Sequence, residues 1–400
     1  MRKLLIWLTP IFLVGLVACE DFVQDVDPLI DQVEDERLND ADQVDFQTKG
    51  VLQRMSTTAS RMAMYAGGLS DELIFDQDLP RATFPSFAEI DRGEISLDNN
   101  SIDGLATNLN EARFFADTLV IRVNNIEGLD PEVKRSALYT SYLVGGLMRQ
   151  YLASYWGLTE TEPGGVINAG PFIPASDMYG LALEKYQLAL QQAGDEHETK
   201  VVNTLIARIH LLTGNFSAAA SAAAGGLAAG DEPFLALHSV DSENAYFFGG
   251  GHGRIQWVVD FRFNGYITED PAEAARIALE ATQGTSGNTW YFQNGFPDRD
   301  SPFPVATWQE NTLILAETDL RAGDSGTALT RINELRASYG LAALASVDLD
   351  GLYVERDKTL FLSGARLLDQ LRFNRFHLGA DKWHHLPITE RERSINPNLN

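Results

Sequence analysis

The residues best equipped for chemistry are a run of aromatic and amide side chains, Trp290-Tyr291-Phe292-Gln293-Asn294, in a stretch flanked by glycines. A sugar ring presents a flat face of C–H groups that packs on an aromatic ring, while its hydroxyls need polar neighbours. Trp290, Tyr291 and Phe292 offer the faces and Asn294 the amide, which makes this run the candidate ligand-binding site. The competing reading is that these rings only plug a long insertion onto the helices around it.

Other motifs carry less. Gly323-Asp324-Ser325-Gly326 copies the tetrapeptide around a protease nucleophile, but no His or Asp context accompanies it and it falls between two helical periods. It is therefore expected to be a turn. No G-x-S-x-G elbow and no phosphate-binding loop occurs, and no Lys follows Gly249-Gly250-Gly251-His252-Gly253. His384 and His385 are adjacent without a zinc-binding pattern. Asp348 and Asp350 fall at two ligand positions of an EF-hand-like loop, with Ser346 and Asp357 at its ends. Asp350 is expected to cap the helix that follows, and calcium is the alternative. No cofactor and no catalytic constellation is read. A pair of carboxylates for glycoside hydrolysis cannot be singled out among 56 acidic residues.

The chain carries 31 basic against 56 acidic residues, a net charge of −25, which argues against nucleic acid or an anionic membrane surface as a partner. Its first residues form an address rather than a fold. Arg2 and Lys3 precede an apolar run from Leu4 to Val17, which ends at Leu16-Val17-Ala18-Cys19. That ending resembles the bacterial lipobox, so residues 1–18 are expected to be a lipoprotein signal peptide and Cys19 the acylated lipid anchor. Cys19 is also the only cysteine, which rules out a disulfide within the chain. Residues 19–43 are acidic and broken by Pro28, and are expected to be a tether from the membrane. Acidic residues directly after the anchor, here Glu20 and Asp21, hint at export to the cell surface.

Helical periodicity dominates from Val44 onward, so the fold class is mostly α, with 44–400 expected to form a single domain. The first helix is expected to stop at Gly67-Gly68, and 73–99 to be a long loop. Further helices are expected over about 102–126, 131–156 and 177–193, with a Gly/Pro-rich loop over 159–174. Gly145-Gly146 inside the 131–156 helix implies close approach of a neighbour, since each Gly costs about 1 kcal/mol there. Pairs follow over 199–229 and 307–339. An offset of 109 residues lays one on the other: Ala207 on Ala316, Leu211 on Leu320, Gly214 on Gly323 and Ala219 on Ala328. Repeating helical hairpins of this kind (about 131–193, 199–229 and 307–339) imply a tetratricopeptide-like right-handed superhelix. Residues 232–306 form a loop-rich insertion, with a short helix expected at 271–281 and a hairpin around 255–263. A last helix is expected over 350–376.

Within 307–339, Glu317 shares a face with Leu313, Ala316 and Leu320. A buried carboxylate needs a partner, and Arg336 on the second helix is the nearest in sequence.

The end of the chain adds a resemblance. Tyr353–Phe373, with Glu355-Arg356, Gly364, Arg366, Asp369 and Arg372, resembles the signature segment of the SusD/RagB family of outer-membrane nutrient-binding lipoproteins. Ser363 and Gln370 depart from it, standing where Glu and Leu are usual. Pro387, Ile388, Glu390, Asn396 and Pro397 resemble the family's closing segment, and Ser70-Asp71-Glu72 agrees in place. Thr159–Gly165 departs from the family's usual Phe-Gly-Asp segment. The resemblance implies a SusD-like fold without covalent chemistry, lipid-anchored at the outer membrane and facing outward. It implies capture of a nutrient, often an oligosaccharide, as the lid of a SusC-like TonB-dependent β-barrel transporter. It also implies an internal ion-pair network of Glu317, Arg336, Glu355, Arg366 and Asp369. The alternative is a tetratricopeptide-like lipoprotein scaffold that binds a protein and no glycan.

Overall fold

The computed structural model describes residues 35–399, so Cys19, the signal segment and most of the tether lie outside the described residues. The end of the expected tether is structured: Asp35–Asn39 and Ala41–Gln43 are 3-10 turns, and Gln47 donates to the Leu38 carbonyl at 2.7 Å.

In chain order, α1 spans Val44–Leu69, β1 Leu73–Ile74, α2 Pro85–Asp91, α3 Asn100–Asn125 and α4 Pro131–Tyr155. Strands β2 (Trp156–Thr159), β3 (Glu162–Gly165) and β4 (Ile173–Pro174) follow, then α5 (Ala175–Gln192), α6 (Glu196–Leu212) and α7 (Phe216–Ala223). The insertion holds β5 (Phe234–Ala236), α8 (Ala245–Gly250), β6 (Val258–Val259), α9 (Phe261–Glu269), β7 (Leu279–Gln283), β8 (Thr289–Gln293) and β9 (Phe303–Ala306). The chain ends with α10 (Trp308–Arg321), α11 (Ser325–Ser338), α12 (Leu349–Thr359), α13 (Ala365–Arg372), β10 (Leu386–Pro387) and α14 (Glu390–Ile395). The strands are short and local. β10 joins β2 in parallel and extends the β2–β3–β4 meander, while β1 pairs β6, β5 pairs β9 and β7 pairs β8, all antiparallel.

The helices bury the faces that the periodicity marks. Leu105, Leu109, Ala112, Ala116, Leu119 and Val123 of α3 are all inaccessible or nearly so. Asn99 and Asp130 cap α3 and α4 by accepting from backbone amides of the first turn, and Pro131 opens α4 where no amide is needed. The 109-residue repeat is real down to its turns. Gly214 and Gly323 both take left-handed backbone (φ 73° and 87°). Asn215 and Asp324 both donate an amide back to the preceding helix (2.8 and 2.9 Å), then cap the next one through their side chains. The protease-like tetrapeptide is thus a helix-hairpin turn.

Several expectations need correction. Gly67 and Gly68 do not stop α1, which runs through both; a Cβ on Gly68 would lie 2.4 Å from the Trp257 ring, so the glycine admits a buried indole. Gly146 likewise admits a side chain, the Tyr186 ring at 2.6 Å. Residues 73–99 contain α2. The 159–174 loop contains β3 and β4, and the 271–281 helix is only a 3-10 turn at Pro271–Ala275. Residues 255–263 make no hairpin of their own, because β6 pairs with the distant β1. The single helix over 350–376 is two helices, broken where Leu362 and Gly364 turn left-handed (φ 65° and 80°). A Cβ on Gly364 would lie 2.9 Å from the Ala63 Cα, so the break is where α1 comes closest.

The ion pairs are also rearranged. Glu317 is fully buried but does not meet Arg336. It takes Arg372 (2.7 Å to Oε2) and Arg321 (2.8 Å), and Arg372 continues to Asp369, which holds Arg356. The cause is antiparallel register: Glu317 lies six residues before the turn and Arg336 thirteen after it, a mismatch of about 10 Å along the helix axis. Arg336 bonds Glu355 (2.6 Å) in a second cluster with Arg276, Glu273 and Lys358. Arg366 bonds Asp71 (2.6 Å) in a third with Asp357 and Arg262. The expected single network is three. Burial pushes the Glu317 carboxyl up, and Arg372 more than offsets it, holding it below the usual range.

Beside the third cluster, Glu72 is buried with Oε1 accepting from the Leu362 amide at 3.0 Å and Oε2 without a partner. Burial pushes its carboxyl from 4.5 up to about 8, with nearby Asp357 adding to the effect.

Three outcomes follow in unfolding experiments. Glu317→Ala costs about 3 kcal/mol because it strands buried guanidinium. A double-mutant cycle in urea shows coupling of about 2 kcal/mol between Glu317 and Arg372 and none between Glu317 and Arg336. Glu72 binds its proton more tightly folded than unfolded, so it makes stability fall as pH rises from 4.5 towards 8. Glu72→Gln should flatten the stability–pH curve in that window, measured by melting at successive pH values.

Candidate functional site

The aromatic run singled out in the sequence is strand β8, not a loop. Trp290 and Phe292 are buried with Leu79, Ala82 and Val258, in a small cluster of loop and strand residues rather than against the helices. Tyr291 is half-buried against the exposed Phe261, and Asn294 is exposed and bonded to the His252 ring at 2.9 Å. The β7–β8 turn is held from far away in sequence. Asp78 accepts from the Ser286 hydroxyl (2.6 Å) and amide (2.7 Å), the Thr285 hydroxyl (2.9 Å) and the Trp290 indole (2.9 Å). These donors, Ser286 first, hold the Asp78 carboxyl far below the ordinary range. Nothing local in the sequence marks Asp78, because its partners lie more than 200 positions later.

The structure offers a different binding surface on the same loop-bearing side of the chain. Gln256, fully buried, accepts from the amides of Thr83 (3.0 Å) and Phe84 (3.1 Å) and donates to the Arg81 carbonyl, which fixes the 81–84 strap. Phe84 is thereby held half-buried, edge-on to Phe87 at 5.3 Å between centroids. The Arg254 guanidinium lies over its ring at 4.5 Å and Phe248 stands beside it at 6.4 Å between centroids. Beyond Phe84 runs an open groove of about 460 Å³ lined by Ser86, Glu89, Ser96, Asp98, Asn99, Asn100 and Ser101. Asn99 sets its floor: its amide donates to the Ser86 carbonyl (3.0 Å) and to Glu89 (2.8 Å) while its oxygen caps α3. An aromatic ring at one end of a strip of hydroxyl, amide and carboxylate groups can stack a sugar and bond its hydroxyls. Phe84 was visible in the sequence only as one Phe in an unperiodic stretch. The partners that make it a surface, Arg254 and Phe248, lie in the insertion.

The remaining candidates resolve as structural. Asp348, not Asp350, caps α12 through the Gly351 amide (2.8 Å), and Asp350 pairs with Arg375. The calcium positions are thus engaged elsewhere. Among the described residues, no group of three or more His, Cys, Asp and Glu side chains is placed to hold a metal ion. His385 is buried where β10 joins the sheet, and burial lowers its ring to about 4. No helix among the described residues is long and apolar enough to cross a membrane.

Solved structures identify the fold. A SusD superfamily protein of Bacteroides thetaiotaomicron VPI-5482 superimposes with a TM-score of 0.71 at 15% identity, over 90% of this chain and 98% of that one. One from Bacteroides vulgatus ATCC 8482 gives 0.70 at 18% identity, over 90% and 98%. A laminarin-binding SusD-like protein gives 0.68 at 13% identity, over 87% and 96%. The chain therefore has the SusD-like, tetratricopeptide-like helical fold. No family model matches the sequence, and no curated protein matches it.

Asp78→Ala should release the β7–β8 turn without unfolding the helices. Hydrogen exchange should quicken at residues 285–290 and the Trp290 emission should shift to the red, with the melting temperature little changed.

Proposed function

We propose that this chain is a surface-anchored nutrient-binding lipoprotein that captures an oligosaccharide on the Phe84 groove and performs no covalent chemistry. On this reading Cys19 carries the lipid anchor in the outer membrane, and the protein closes as a lid over a SusC-like TonB-dependent barrel that imports the ligand. The observation that carries the proposal is the Phe84 platform. An aromatic face, stacked on one side by Arg254, is fixed by a buried glutamine at the end of a polar groove. The solved structures of the same fold support it, one of them being described as laminarin-binding. The excess of acidic residues favours a neutral glycan over an anionic one.

Affinity electrophoresis in a panel of neutral polysaccharides tests the binding. Phe84→Ala should weaken retention by about tenfold, the loss of one stacking face, with the fold retained and the melting temperature modestly lowered as its packing on Phe87 is lost. Equal retention of wild type and variant would refute the groove. Cys19→Ser should release the protein from the membrane fraction, and a large β-barrel should co-purify with the wild type. A protein partner retained with no glycan bound by any method would favour the scaffold alternative.

A further inference from the structure

A second cleft lies between α3, the turn after β3 and the C-terminal α14, beginning at Asp103, two residues along α3 from Ser101 at the edge of the Phe84 groove. It encloses about 380 Å³, within the lower range of small-ligand pockets. Its wall contains strained backbone: Asn168 and Ala169, with left-handed φ of 53° and 52°, are the only consecutive non-glycine pair of that kind among the described residues. Such a conformation costs about 1–2 kcal/mol per residue, so the surroundings must impose it. They do so from both sides. Arg113 of α3 donates to the Asn168 side-chain oxygen at 2.8 Å. From the C-terminal segment, the buried Asn396 donates to the Gly170 carbonyl and Asn398 to the Ala169 carbonyl, both at 2.9 Å.

The cleft also holds donors that the protein leaves unused. Arg113 and Trp156 both line it and are at least nine-tenths buried, and the Arg113 Nε and Trp156 Nε1 have no acceptor. A buried donor without an acceptor costs about 1–3 kcal/mol, which an occupant offering an oxygen recovers. At the rim, Phe114 from α3 and Ile395 from α14 are 53% and 67% exposed. Among the charges of the lining, Arg113 meets Asp117, Arg391 faces Asp103 and Glu111 faces Arg54, while Glu392 accepts only from the Asn396 amide at 3.2 Å. An anion would find no free cation, whereas a hydroxyl would find an acceptor in Glu392.

Unused donors, a presented amide, a carboxylate acceptor and apolar faces together describe an uncharged, hydroxyl-rich ligand with an apolar face. We propose that this cleft is a second binding site, for a neutral mono- or disaccharide, with Phe114 as its stacking face and Asn168 as its positioning residue. The inference rests on the carbohydrate reading above but uses a different surface, so the two fail separately.

The test is calorimetric titration of the full chain with maltose, cellobiose, lactose and laminaribiose, on wild type and three variants. Phe114 is exposed, so Phe114→Ala should fold normally. Asn168→Gly keeps the left-handed turn and relieves its strain, but it also takes an acceptor from the buried Arg113 guanidinium, so its melting temperature should change little. Both should weaken disaccharide binding by about tenfold or more, in the wild-type and in the Phe84→Ala background alike, so that any sugar held at the first groove does not contribute. Binding of none of the four sugars to the wild type overturns the proposal, as does wild-type affinity in Phe114→Ala and Asn168→Gly. Retention on polysaccharide reports the first groove independently: it should fall in Phe84→Ala and persist in both cleft variants.

Discussion

Asp71, Arg262, Asp357 and Arg366 form the ionic junction at which distant parts of the chain meet. Asp71 follows α1, Arg262 belongs to the insertion, and Asp357 and Arg366 lie on either side of the break between α12 and α13. Arg262 reaches Asp71 (3.0 Å) and Asp357 (2.9 Å), and Arg366 binds Asp71 in a two-pronged contact (2.6 and 2.8 Å). Arginine suits this role because its planar fork engages two carboxylates in fixed directions. The partners are separated by up to 295 positions, so these bonds form only when the helices and the insertion are both in place. Arg366 and Asp357 are nearly buried (9% and 2% exposed), so losing their partners is costly, while Asp71 and Arg262 (27% and 21%) keep some access to water. Glu72 deepens that dependence, since its Leu362 bond fixes the α12–α13 break against the end of α1.

How far the sequence was legible follows from the range of each interaction. Helices α3, α4 and α6 and the 109-residue repeat rest on local periodicity and on turn glycines, and a reader of the sequence alone recovers them. The Glu317 clasp shows where that reading ends. The need for a partner was legible, because a carboxylate on an apolar face cannot stand alone. The partner was not, because the helix break at Leu362–Gly364 carries Arg372 to it from 55 positions away. The same holds for Trp290. Its aromatic chemistry is visible in the sequence, but the acceptor at Asp78 that draws it inward is not.

The glycines make a related point. Gly68 and Gly146 sit inside long helices, where glycine is costly, and each leaves room for one large ring, Trp257 and Tyr186. A helix pays about 1 kcal/mol for each and gains a buried aromatic whose burial returns more. In a fold of stacked hairpins this sets helix spacing, and it does so through residues that read as helix breakers.

The Phe84 groove and the α3–α14 cleft share a construction that explains why neither was found from motifs. In both, the residue that faces outward is ordinary: a Phe in an irregular stretch, an Asn after a strand. What makes each a surface is a buried amide elsewhere, Gln256 behind the 81–84 strap and Asn396 behind the 168–170 turn, both with no exposed surface. An interior amide can hold a strap through two or three bonds at once, and it loses little entropy because packing has already fixed it. Irregular segments fastened in this way can present a ring or an amide without the reorganisation that a mobile loop would require on binding. The helical repeat supplies the rigid wall for these fastenings. The features of the sequence that identify the fold are therefore distinct from those that would select a ligand.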